Sequence, residues 1–187
     1  MFIDSGSQPS GWASVAGITH SFAPSCTSCV IQAKYPSLKI PISVLVVIYK
    51  SNRDVLLIER ADRTGFWQSV TGSLDTLNED LALAAAREVF EETGITVNQL
   101  PQGALRSMHH QIEYEIYPEW RFRYAPGVTK NIEHWFALEV PDNTPVQLAP
   151  REHVAYEWLP FEAAAKKCFS PSNGEAIMKL FSATWNS

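Results

Sequence analysis

The sequence predicts an α/β sandwich in which helices cover a mixed β-sheet, and three observations carry that expectation. Strand-length β-branched runs recur along the chain, a strongly patterned helix interrupts them, and adjacent runs are joined by hairpin-length turns. With 45% hydrophobic and 19% charged residues in 187, the chain can bury a substantial core.

The elements follow in order. Ile42–Tyr49, ISVLVVIY, reads as a buried strand. Ser51 and Asn52 supply a turn, and residues 54–59 return as the second strand of a hairpin. A short strand at 68–71 ends at Gly72. Residues 79–93 are expected to be a helix. Leu81, Ala85 and Val89 recur at i, i+4 and i+8, Asn78 is the expected N-cap, and Gly94 sits where a C′ glycine belongs. Further strands are expected at 105–117, 131–140 and 154–158, with Pro126 and Gly127 marking a turn. Helices at Phe161–Lys167 and 173–182 close the chain.

The first 38 residues differ in kind. They are rich in Ser, Gly and Pro, contain no Arg and have no Lys before Lys34. They are expected to be a poorly ordered extension, with the folded domain spanning 39–187. A lone Cys26-x-x-Cys29 within them lacks a second pair and is weak evidence for zinc or redox chemistry. Fifteen Lys and Arg against 20 Asp and Glu give a net charge of −5, which argues against a general nucleic-acid binder. No apolar run approaches the roughly 20 residues of a membrane-spanning helix. The expectation is a soluble, cytoplasmic protein acting on a small molecule, without nucleic acid, membrane or obligate protein partner.

The predicted helix carries a chemical anomaly. Glu88, Glu91 and Glu92 stand at i, i+3 and i+4 near its C-terminal end, where like charges repel and cations are preferred. Such a cluster calls for an opposing cation, and oxygen-loving Mg²⁺ is the natural one, with Mn²⁺ as a substitute. A solvated acidic face is the bland alternative, and the surrounding sequence decides against it. GSLDTLNE over 72–79, seven further residues and REVFEETGI over 87–95 resemble the Nudix box, Gx5Ex7REUxEExGU with U aliphatic. One departure is plain: six residues, not five, separate Gly72 from Glu79. Asn78, which tolerates left-handed backbone, is expected to absorb the insertion.

The resemblance implies a Nudix-type α/β/α sandwich that hydrolyses a phosphoanhydride with a divalent metal. It implies that Glu88 and Glu92 carry metal, that Glu91 ligates or assists, and that Arg87 orients the glutamates. Arg87 paired with Glu91 is the purely structural reading, compatible with the first.

Similarity extends from about residue 39 to the C-terminus. PISVLVVIY at 41–49, FWQSVTGS at 66–73, RYAPGVTKN at 123–131 with Glu133, Trp135 and Phe136, and EHVAYEW at 152–158 are similar to bacterial dihydroneopterin triphosphate pyrophosphohydrolases of this family. That likeness implies release of pyrophosphate from dihydroneopterin triphosphate, a step of folate biosynthesis. By matched position it implies metal binding at Glu88, Glu92 and Glu152, and substrate contacts at Lys39, Arg60, Thr71, Tyr114, Tyr117 and Ser170. Lys39 and Arg60 suit a triphosphate, a tyrosine at 114 or 117 can stack on a ring, and Glu152 can bind metal or act as base. The competing enzymatic reading is a broader pyrophosphatase of nucleoside triphosphates or dinucleoside polyphosphates. A non-catalytic nucleotide sensor is disfavoured because every glutamate of the box is retained. His109, His110 and His153 are read as structural, and Cys168 as a buried small hydrophobe.

Overall fold

The computed structural model describes residues 38–182, and the 1–38 extension with Cys26 and Cys29 lies outside the described residues apart from Leu38. Its centre is β1 (Ile42–Tyr49), a strand buried on both faces. Along β1, Val44, Val46 and Ile48 enter one apolar cluster, and Leu45, Val47 and Tyr49 enter another. A two-residue side-chain period divides the run between the two faces, which is why ISVLVVIY shows no polar alternation.

Seven strands share one mixed sheet. β2 (Asp54–Arg60) returns antiparallel from β1 through the expected hairpin, with Tyr49 opposite Val55 near the turn. The two strands then diverge, and β3 (Trp67–Gln68) pairs with β2 while β4 (Val70–Ser73) pairs with β1. Ser69 breaks the expected 68–71 strand into these two pieces. β5 (Leu105–Glu115) runs antiparallel to β6 (Lys130–Glu139). The parallel pairing of β6 with β1, in register from Ile42 opposite Ile132 to Tyr49 opposite Glu139, makes the sheet mixed. β7 (His153–Pro160) completes it against β2.

Helix α1 (Leu81–Thr93) packs on one face, burying Ala84, Ala85 and Val89. Helices α2 (Phe161–Lys167) and α3 (Pro171–Leu180) cover the other face, where Ala164, Ala176, Ile177 and Leu180 meet Leu45, Val47 and the fully buried Trp135. Among the described residues, no helix is long and apolar enough to cross a membrane.

Two expectations about α1 are corrected. It starts at Leu81 rather than at residue 79, and its cap is Asp80 rather than Asn78. One Asp80 carboxylate oxygen accepts from the N–H groups of Ala82 at 2.9 Å and Leu83 at 3.1 Å, an arrangement worth about 1 kcal/mol. The inserted loop residue is also accommodated differently. Asn78 is not among the described non-glycine residues with positive φ, Arg53 and His109. A turn closed by the Glu79 N–H on the Thr76 carbonyl (3.1 Å) takes up the extra length instead, leaving Leu77 exposed. At the other end Gly94 adopts φ +70°, as the C′ position requires. Between β5 and β6 the expected turn forms at Pro126 and Gly127, and a 3₁₀ stretch, Pro118–Arg123, precedes it.

Candidate active site

The acidic end of α1 lies against β4. Gly72 makes that approach possible, because a Cβ there would fall 1.8 Å from the Glu88 carboxyl carbon. Glu88 is accordingly half enclosed between helix and strand, and burial pushes its carboxyl up to about 7, against the opposing pull of Arg87. Glu92, one turn on, is 4% exposed and its pKa is raised, chiefly by burial. It receives only long contacts: the Thr71 N–H at 3.4 Å and His153 Nε2 at 3.4 Å. Two carboxylates pressed into a protein interior, Glu92 with only those long contacts, are candidates for holding a cation.

Glu91 turns the other way and remains 53% exposed, so the three glutamates do not converge. What joins Glu88 and Glu91 is Arg87. Its Nη1 donates to Glu88 at 2.7 Å and to Glu91 at 3.2 Å, its Nε donates to Glu79 at 2.9 Å, and Nη2 donates to the Ser73 carbonyl at 3.0 Å. Glu79 also accepts from the Asp75 N–H at 2.6 Å, so the lengthened loop still delivers this carboxylate to Arg87. The arginine is thus a planar brace holding helix, loop and strand at fixed positions.

The carbonyls that α1 exposes at its C-terminus are also used. The N–H groups of Gln147 and Ala149 donate to the carbonyls of Thr93 (2.8 Å) and Glu92 (3.3 Å). The Ala149 carbonyl in turn accepts from the N–H groups of Glu152 and His153, both at 3.0 Å. This relay carries Glu152 and His153 to the acidic helix from sixty residues away along the chain. Ligand atoms of Glu92, Glu152 and His153 lie within 4.8 Å of one another. His153 was expected to be merely structural. Instead it is 4% exposed beside Glu92, and its two ring nitrogens make no hydrogen bond. The carboxylate-rich donor set fits a hard divalent cation, with His153 beside it as a nitrogen donor.

Two cavities adjoin here, and the smaller opens onto this cluster. The smaller, about 340 Å³, is lined by Glu92, Glu152 and His153 and by the cations Lys39, Arg60 and Arg123. The larger, about 500 Å³, is lined by the substrate-contact candidates Lys39, Arg60, Thr71, Tyr114, Tyr117 and Ser170. Lys39, Arg60, Thr71 and Arg123 belong to both. The large chamber is aromatic: Tyr117 stands edge-on to Trp120, and Phe66 stacks on Phe169 at 3.5 Å between centroids.

Tyr114 and Tyr117 differ in kind. Tyr114 is held by its hydroxyl, which accepts from Asn131 Nδ2 at 3.2 Å, whereas Tyr117 is 41% exposed on the chamber wall. Arg60 is held in a fork by Asp62, at 2.8 and 2.7 Å, a restraint with no sequence signal beyond the two-residue spacing. Arg123, missed by sequence reasoning, is legible only as part of RYAPGVT. Trp67 packs beneath Lys167 at 3.8 Å and does not line the chamber. Cys168 is a free, largely buried thiol pushed up to about 12 by burial.

Comparison with known proteins agrees with this architecture. The NUDIX domain family matches residues 39–180. Dihydroneopterin triphosphate diphosphatase of Escherichia coli K12 is 46% identical over 140 residues, covering 74% of this chain and 91% of that protein. The protein of that name from Haemophilus influenzae is 39% identical over 138 residues, covering 73% and 85%. The solved structure of the E. coli dihydroneopterin triphosphate pyrophosphohydrolase superposes with a TM-score of 0.69 at 44% identity, covering 76% of this chain and 95% of that one. A chain with this sheet, this box and these relatives belongs to the Nudix hydrolase family.

Proposed function

We propose that the protein hydrolyses dihydroneopterin triphosphate to dihydroneopterin monophosphate and pyrophosphate, a step of folate biosynthesis. The observation that carries this reading is the continuity of the two cavities. An aromatic chamber and an acidic cluster are joined by Lys39, Arg60, Thr71 and Arg123, a sequence of surfaces that suits a flat ring, a polyphosphate and a divalent cation. Two relatives that act on this substrate by name, at 46% and 39% identity, support the choice of ring.

The chain's own groups divide the work. Tyr117 and the neighbouring aromatic rings flank the heterocycle, with Ser170 at the chamber's edge. Lys39, Arg60 and Arg123 offset the phosphate charge and orient the chain of phosphates. Arg60 exchanges its Asp62 fork for phosphate oxygens of the same bidentate geometry. Glu88, Glu92 and Glu152 would hold Mg²⁺, with Mn²⁺ as a substitute. A divalent ion there would neutralise charge on the phosphoanhydride and acidify water. Arg87 and Glu91 position Glu88 through the brace described above. Glu152, exposed at the rim of the cluster, accepts the proton of the attacking water. A free thiol at Cys168 suits a reducing compartment, and the reading places the enzyme in the cytoplasm.

The test is product analysis. Incubation with Mg²⁺ and dihydroneopterin triphosphate should release pyrophosphate and the monophosphate, with EDTA abolishing the reaction. Stepwise release of orthophosphate would overturn the assignment of the cleaved bond, and EDTA-resistant turnover would overturn the metal.

A further inference from the structure

The floor of the large chamber is polar where the rest of that sheet face is apolar. On this face β1 and β6 carry Leu45 and Trp135 in register, under α3. Two residues back along the same strands stand Ser43 and Glu133, also in register, and Asn131 follows opposite Tyr114 of β5. Since alternate residues of a strand share a face, all four point into the chamber that α2 and α3 leave uncovered. They line it, and Ser43, Asn131 and Glu133 are 7%, 1% and 4% exposed.

Their hydrogen bonds leave acceptors over. Asn131 spends its amide hydrogens on Ser43 Oγ at 2.7 Å and Tyr114 Oη at 3.2 Å, and its Oδ1 has no partner. Glu133 accepts from Trp135 Nε1 at 3.1 Å and interacts with the Ser172 hydroxyl. Those two donors fix the carboxylate, which has about four acceptor positions in all. Serving one indole N–H needs only a neutral acceptor, so a buried carboxylate here calls for further donors.

We propose that Glu133, with Asn131 Oδ1 beside it, is the specificity determinant that reads the ring of the substrate through its 2-amino-4-oxopyrimidine edge. This rests on the reading of the chamber as the heterocycle site and deepens it. That edge offers two adjacent donors, an exocyclic amine and a ring N–H, which a carboxylate accepts as a pair. Pterin and guanine both present it. Adenine and cytosine place a ring nitrogen lone pair beside their amine, and that lone pair faces the carboxylate with no proton between them. The chamber therefore discriminates by ring edge, independently of the phosphate chemistry next door.

The test is calorimetric binding of dihydroneopterin monophosphate, dGMP and dAMP to wild type, Glu133→Gln and Glu133→Asp, with Mg²⁺ present. Wild type should bind the first two at least tenfold more tightly than dAMP. Glu133→Gln keeps the size and an acceptor for Trp135 but turns a donor toward the ring. It should erase the preference by weakening dGMP and the pterin 10–100-fold, with dAMP within threefold. Glu133→Asp withdraws the carboxylate and should fall between, covering the case in which the glutamine variant does not fold. Equal wild-type affinity for dGMP and dAMP, or a preference surviving in a folded Glu133→Gln, would overturn the proposal. Tight dGMP with weak pterin binding would remove the pterin as substrate while leaving Glu133 as reader of the edge.

Discussion

Two parts of this molecule bury carboxylates, and they do so in opposite ways. At the end of α1, Glu88 and Glu92 are crowded beside Arg87 with few hydrogen bonds to Glu92, an arrangement that makes sense around a cation. On the chamber floor a single carboxylate, Glu133, is fixed by an indole N–H and a hydroxyl, an arrangement that makes sense against neutral N–H donors. The contrast separates what any phosphoanhydride hydrolase needs from what selects one ring. Charge density serves the phosphates, while hydrogen-bond pattern serves the head group.

Breaking the α1 cluster should have the largest effect. Glu92→Gln or Glu88→Gln should lower kcat by at least about a thousandfold with the fold intact, as judged by circular dichroism alongside kinetics. Near-wild-type rates in either variant would remove the metal assignment. Next comes Gly72→Ala. Its Cβ would lie 1.8 Å from the Glu88 carboxyl carbon, so that carboxylate must leave its place, and a displacement of about 1 Å costs on the order of a hundredfold in rate. Steady-state kinetics and thermal unfolding should both register it.

Glu152→Gln should reduce kcat by about 10–100-fold with little change in KM. A KM effect alone would make Glu152 a binding residue instead.

A fourth prediction concerns pH in the metal-free protein. Burial raises Glu88 to about 7, so the folded state binds its proton more tightly than the unfolded state does. That contribution to stability is present below the ordinary carboxylate value and is lost as pH rises toward about 7. Denaturant titrations in EDTA should show stability declining over this window, and Glu88→Gln should flatten the decline. Smallest of all, removing residues 1–38 should change kcat/KM by less than about twofold. A large loss with folding preserved would make that segment part of the site.

The same contrast explains how much was legible in the sequence. The box lies on one helix and its approach loop, so the spacing of Glu88, Glu91 and Glu92 on α1 reads directly from i, i+3 and i+4. β1 and β2 were equally plain, because strands buried on both faces are continuous apolar runs. The helix start was misplaced because Asn78, Glu79 and Asp80 are all compatible with a helix N-terminus. Only the backbone decides that Asp80 reaches two N–H groups. His153 was missed because its approach to Glu92 depends on a relay of main-chain hydrogen bonds through Gln147 and Ala149, for which no side-chain pattern exists. The chamber floor was hidden for a related reason. Ser43 and Asn131 are 88 residues apart and meet only through the β1–β6 register.

The most direct test of the account is a comparison of kcat/KM for dihydroneopterin triphosphate, dGTP, dATP and a dinucleoside tetraphosphate, with Mg²⁺, on the intact protein. The account predicts the pterin first by at least tenfold, with dGTP ahead of dATP. Equal or better turnover of dATP or the dinucleotide would contradict it, leaving the phosphate chemistry of α1 in place and removing the chamber as a reader of the ring.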